Sequence, residues 1–186
     1  EIGELASTFI ETRRTLQHQI YLLDTEAHRD GLTGVGNKSA FMDKEIEINN
    51  EIISGNANFS VAVFDVNKLK VTNDIFGHMA GDILLSTVSA HLSASFVEAD
   101  IFRIGGDEFL VCLQTNKQEV AENTIKQIQE HIMAFNRKSI KPWYLHASIG
   151  YAFCRNRNSI LLAMEQADKN MYEAKRIWKT SRKYEE

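Results

Sequence analysis

Within the apolar run IFRIGGDEFLVCL, residues 101–113, two glycines and two acids stand side by side: Gly105, Gly106, Asp107 and Glu108. A bend between two short strands that needs positive φ would explain the glycines, which adopt it without a Cβ penalty. The bend does not explain the acids. Ionised carboxylates beside Phe102, Ile104, Phe109 and Leu110 are held only by a cation, a metal or a metal-bound phosphate. A further acid, Asp65, closes the apolar segment FSVAVFDV, residues 59–66. If that segment pairs beside the bend, Asp65 and Asp107 converge at one sheet edge. Two such carboxylates with a backbone carbonyl match magnesium, which keeps several waters and completes its shell from substrate phosphates. Spacing alone also leaves ordinary surface charge open, and for two acids that is the commoner case.

The elements that must position these acids follow from periodicity. Residues 1–29 read as one helix, with Ile2, Phe9, Leu16 and Leu23 at heptad spacing and Leu5, Ile20 and Ala27 alongside. The alternate seam positions decay into Thr12, Gln19 and Glu26, so the stripe fits either a dimerising stalk or an amphipathic helix packed on its own domain. Glycines at 31, 34 and 36 end it, and Asn37 or Ser39 can cap a helix over about 38–54. A strand over 59–66, a polar turn region over 67–74 and a helix from about 80 to 95 come next. Strands at about 101–104 and 108–114 flank the bend. Asn116 and Glu119 at capping-box spacing open an amphipathic helix, WYLHASIGYAF (143–153) alternates like a strand, and a last helix closes the chain. This order predicts an α+β fold of ferredoxin-like type, an antiparallel central sheet flanked by helices behind an N-terminal helical stalk. The stalk spans 1–29, the domain 30–180 and a tail 181–186.

The chain has 186 residues, enough to bury about two-thirds of its unfolded surface. It is 44% hydrophobic with a single proline, which argues against disorder. A net charge of -4 gives no support for binding a nucleic-acid polymer. Cys112 and Cys154 sit in apolar surroundings and read as buried thiols of a reducing compartment. No membrane-length apolar run or signal peptide is present, and a start at Glu1 suggests a piece of a longer polypeptide.

RIGGDEF, residues 103–109, resembles the signature of GGDEF domains, the diguanylate cyclases. DGLTGVGNKSAF (30–41), FDVNKLKVTNDIFGHMAGDILL (64–85) and QADKNMYEAKRIW (166–178) are similar to that family's other motifs. The resemblance spans about 30–180. It implies a nucleotide-cyclase-type fold and condensation of two GTP into cyclic di-GMP, each 3′-hydroxyl attacking the other nucleotide's α-phosphate and releasing pyrophosphate. By the same resemblance Asp65, the Val66 carbonyl, Asp107 and Glu108 would hold two magnesium ions, with manganese able to substitute. Asp107, Glu108 and Lys70 would be the catalytic set. The 66–70 turn would cradle the triphosphate, with Lys70, Lys175 and Lys179 as point charges. Asn73 and Asp82 would read guanine, because a carboxylate accepts from its N1–H and amine together whereas adenine has no N1 donor. His78 matches the pattern too, as a ligand contact or a helix-opening residue.

Departures from the family pattern are equally specific. Phe96 and Ala99 stand where an R-x-x-D product-inhibition motif is common, and Trp178, Lys179 and Thr180 replace G-R-N. Lys38 stands for an arginine, Asn67 for an aspartate, and Leu69, counted among the substrate-binding residues, for a phenylalanine. The expected partners are GTP, a second copy through stalk and active-site faces, and an upstream sensory module. A cytoplasmic location is expected, free or as the cytoplasmic part of a membrane-anchored sensor. The rival expectation is a degenerate domain that binds GTP or a protein as a switch; a third, a mixed GMP and AMP cyclic dinucleotide, is disfavoured by Asp82.

Overall fold

The computed structural model describes residues 2–55, 58–96, 98–115, 117–154 and 159–181, and main chain only at 2 and 181. The elements run α1 (Ile2–His28), α2 (Lys38–Ile53), β1 (Ser60–Val66), α3 (Leu69–Phe76), α4 (His78–Ser95), β2 (Ala99–Arg103), β3 (Glu108–Leu113), α5 (Gln118–Lys138), β4 (Ala147–Phe153) and α6 (Ile160–Ser181). The sheet order is β2-β3-β1-β4 with every neighbour antiparallel, the ferredoxin-like arrangement expected.

Helices cover both faces, so every residue of β1 is buried and its sequence is apolar on both sides rather than alternating. On one face Ala62, Phe64, Phe109 and Val111 pack with Leu84, Val88 and Leu92 of α4 and Ile128 and Ile132 of α5. On the other, Val61, Val63 and Leu110 pack with Phe41 and Ile48 of α2 and Ile160, Ala167 and Met171 of α6. Gly150 lets α6 lie directly on β4, because a Cβ there would run into the Ala167 carbonyl and the Met171 backbone. Cys112 and Cys154 are buried free thiols, and burial pushes Cys154 up to about 11.

Two of the expected elements need correction. The segment 67–74 is not a turn region throughout: α3 begins at Leu69, nucleated by a left-handed Lys68 with no side-chain cap to advertise it. The strand expected over 143–153 starts only at Ala147, although Trp143 and Leu145 are buried. There the Asn136 amide donates to the Leu145 carbonyl at 2.7 Å and accepts from its N–H at 2.8 Å, standing in for a strand partner. Of the two arrangements that the stripe on α1 allows, packing along its own domain is not the one adopted. Leu5, Phe9, Leu16, Ile20 and Leu23 are exposed, and the helix is tied to α2 at its C-terminal end. The cap proposed at Asn116 lies outside the described residues, and Lys117 precedes α5 without a side-chain cap. No helix among the described residues is long and apolar enough to cross a membrane.

Candidate active site

Pairing of β1 with β3 places Asp65 opposite Glu108, and the Val66 N–H donates to the Asp107 carbonyl at 2.9 Å. Asp65, Val66, Asp107 and Glu108 therefore share one end of the sheet, although Asp65 and Glu108 are remote in sequence. Asp65 is 6% exposed. Its carboxylate accepts from Lys175 Nζ at 2.7 and 2.6 Å, so this cation of α6 is bound to it rather than standing apart. At Glu108, partial burial and then the charges of Asp107, Asp65 and Asp168 push the carboxyl above its ordinary range, with Lys175 pulling the other way. This edge has surplus negative charge that a divalent cation would relieve. No group of three or more metal-ligating side chains is gathered among the described residues. Magnesium does not demand one: one or two carboxylates with waters and phosphate oxygens suffice, so the donor set fits.

The hairpin tip differs in its reason for glycine. Neither Gly105 nor Gly106 has positive φ. The Glu108 side chain folds over Gly105, where a Cβ would come within 2.8 Å of Glu108 Oε2 and push that carboxylate aside. Arg103 holds the tip, donating through NH2 to the Gly106 carbonyl at 2.7 Å and through NH1 to both oxygens of Asp30 at 3.1 and 3.3 Å. Asp30 also accepts from the Thr33 N–H at 2.9 Å and hydroxyl at 2.6 Å. Burial pushes its carboxyl up, but Thr33 and Arg103 outweigh this and hold it below the ordinary value. The two sequence motifs containing Asp30 and Arg103 are thus one brace, a role that sequence reasoning did not assign.

Beyond β1 the chain turns through Asn67 and Lys68 into α3. Buried Asn67 donates its N–H to the His146 carbonyl at 2.8 Å and its amide to Ser148 Oγ at 2.9 Å. A neutral amide suits this buried site where an aspartate would bring a charge. Leu69 packs on the core, and Lys70 is exposed on the first turn of α3. Asn73 sits against Gly81, where a Cβ would collide with the Asn73 amide, and its buried Oδ1 has no hydrogen-bond partner. An orphaned acceptor of this kind fits a donor such as an exocyclic amine. Gly77 (φ 83°) joins α3 to α4; His78 opens α4 exposed, and Asp82 is exposed in its first turns. On α6, Lys179 is exposed, while Trp178 lies against His146 with ring centroids 5.6 Å apart and planes tilted by 47°, and Lys68 Nζ is 5.8 Å from the centre of the indole. Where the R-x-x-D motif would lie, Phe96 is buried edge-on against Phe64, Ala99 begins β2, and Val97 lies outside the described residues.

A family model, "Diguanylate cyclase, GGDEF domain", matches residues 27–180. The chain is 32% identical over 155 residues to diguanylate cyclase DgcP of Pseudomonas aeruginosa, covering 81% of this chain and 23% of that protein. It is 31% identical over 172 residues to cyclic di-GMP phosphodiesterase PdeR of Escherichia coli, covering 91% and 25%. The chain thus spans about a quarter of the length of these two curated relatives. Its structure is similar to the coiled coil and GGDEF domain of DgcB from Caulobacter crescentus in complex with c-di-GMP, with TM-score 0.82, 26% identity and coverage of 94% and 93%.

Proposed function

Because this chain belongs to the GGDEF family of diguanylate cyclases, we propose that it condenses two GTP into cyclic di-GMP and pyrophosphate as a homodimer. The observation that carries this reading is the β1–β3 register, which puts Asp65 opposite Glu108 and ties Val66 to Asp107 at one sheet edge. Asp65, the Val66 carbonyl, Asp107 and Glu108 would hold magnesium, or manganese in its place. Bound there, the metal would stabilise charge on the entering and leaving oxygens of an in-line displacement.

The chain's own residues do the rest. Backbone N–H groups of the 66–70 turn and Lys70 bind the triphosphate, and Lys175, paired with Asp65 in this structure, would be free to bind phosphate were that carboxylate to hold a metal. Asn73 accepts from the guanine amine and Asp82 from N1–H and the amine. Asp107 or Glu108 lies near the attacking 3′-hydroxyl. Leu69 fixes the start of α3, His78 opens the helix bearing Asp82, and Lys179 adds charge at the tail. We place the catalytic unit at 30–180 and the stalk at 1–29, with 181–186 as tail. The exposed Leu5, Phe9, Leu16, Ile20 and Leu23 face of α1 pairs with a second copy, so that each protomer presents one GTP to the other. An upstream sensory module acting in the cytoplasm would change how two such helices cross.

The test is incubation with GTP and magnesium over a range of protein concentrations, with chromatography of products. The expected result is cyclic di-GMP formed at a rate rising more steeply than linearly with protein, and a loss of at least about 100-fold in Asp107→Ala. Unchanged product from Asp107→Ala would overturn the metal assignment. The rival switch reading draws on the Lys175–Asp65 pair, which occupies the metal carboxylate; tight GTP binding without pyrophosphate release would establish it.

A further inference from the structure

We propose that Lys68 is a phosphate-binding cation held in reserve on Trp178, and that it adds positive charge for the triphosphate to that of Lys179 at the altered end of α6. The proposal rests on the cyclase reading for the identity of the nucleotide. Lys68 is the single non-glycine residue with positive φ among the described residues, at φ 63° and ψ 19°. Its backbone is pinned on both sides: Asn67 is tied to His146 and Ser148, and the Lys68 carbonyl accepts from the Thr72 N–H at 2.9 Å. A lysine held left-handed at the opening of α3 projects from the very turn proposed to carry phosphate, a conformation glycine or asparagine would adopt with less strain. What lysine adds there is charge.

Among the described residues that charge has no carboxylate to satisfy it. Lys68 is exposed and makes no ion pair among the described residues; its ammonium lies 5.8 Å from the centre of the Trp178 ring. An exposed cation–π contact is a weak hold, and a charge-assisted hydrogen bond to a phosphate oxygen is stronger, so the ammonium transfers when a triphosphate arrives. Trp178 is one helical turn beyond Lys175, so α6 places one side chain on Asp65 at the end of β1 and the next under Lys68 in the following turn. The tilted contact of Trp178 with the ring of His146, whose carbonyl holds Asn67, keeps the indole at that turn. Lys179 is exposed in the last turn of α6 with none of these anchors.

Steady-state kinetics with GTP and magnesium on the full chain compare Lys68→Met, Lys68→Gly and Lys68→Arg; the glycine variant removes the charge while relieving the left-handed backbone. The expected result is a KM for GTP raised about tenfold in the Met and Gly variants, kcat within about twofold, and recovery to within about threefold in Arg. In parallel, the non-cleavable α,β-methylene analogue of GTP should change indole emission in the wild-type chain and leave it unchanged in Lys68→Met at saturation. Wild-type KM in both Met and Gly variants, or an emission change that persists in Lys68→Met, would overturn the role of Lys68 while leaving the cyclase reading standing. A wild-type chain that neither binds the analogue nor turns over GTP would overturn both.

Discussion

Two regions of this molecule join elements through ion pairs of similar length but opposite setting. At the sheet edge, Lys175 meets Asp65 at 2.6 Å with side chains 24% and 8% exposed. At the elbow between α1 and α2, His28 meets Asp24 at 3.1 Å and Asp43 at 3.0 Å, with the carboxylates 69% and 71% exposed. Water screens the elbow and barely reaches the edge, so comparable distances carry different energies. The edge stores charge that chemistry can use, whereas the elbow merely sets an angle. Breaking one pair at a time separates these roles.

The largest effect is expected for Lys175→Met, which leaves the Asp65 carboxylate buried and unpaired. Removing one partner of a buried pair costs several kcal/mol; with Lys175 partly exposed the expected loss is about 2 kcal/mol, read by urea unfolding without divalent ions. Magnesium should then restore more stability to the variant than it adds to the wild-type protein, because the freed carboxylate binds it without displacing an ammonium. Equal magnesium effects on the two proteins would mean that Asp65 is not where the ion is held. A smaller loss, about 1–2 kcal/mol, is expected for Arg103→Leu, whose partner Asp30 is 21% exposed. Because Arg103 also holds the Gly106 carbonyl, kcat should fall about tenfold while KM for GTP changes less. Lysine at 103 should not rescue it, since one ammonium cannot reproduce the planar fork that spans Asp30 and Gly106. A kcat unchanged in Arg103→Leu would show that the brace matters to folding alone.

How much of this was legible in the sequence differs between the same regions. The acids at 65, 107 and 108 could be placed together because apolar runs announce β1 and β3, and antiparallel pairing then brings their ends to one edge. The α3 helix was illegible for the opposite reason: its residues LKVTNDIF are mixed in polarity, and it starts from a left-handed lysine instead of a capping side chain. Alternation over Trp143–Leu145 looked like strand because burial alternates there, but the bonding partner is a single amide, Asn136, on a helix. The brace between Asp30 and Arg103 spans 73 positions, a pairing that no local pattern encodes. Trp178 could be read as a departure but not as a seat for Lys68, since nothing in composition reports which ring a cation will find.

The elbow yields the smallest and most conditional effect. The Asp24 carbonyl accepting from the His28 ring, and after it the Asp24 and Asp43 carboxylates working against partial desolvation, hold the imidazole above its ordinary value of 6.5. Both ring nitrogens have acceptors, one on α1 and one on α2, so only the doubly protonated ring serves both. Asn37 ties the same joint from the other side, donating to the Ala27 carbonyl at 2.7 Å. A raised folded-state value means that the added stability is fully present below pH 6.5 and is lost as pH rises through the folded value. Hydrogen exchange of the last turn of α1 should therefore be slower, relative to the intrinsic rate, at pH 6 than at pH 8, and His28→Asn should remove that difference while leaving protection of β1 and β3 untouched. Global unfolding should move little, because a screened surface pair governs one joint rather than the core. A pH response in His28→Asn equal to that of the parent would assign the joint to Asn37 alone, and with it the control of how the stalk leaves the domain.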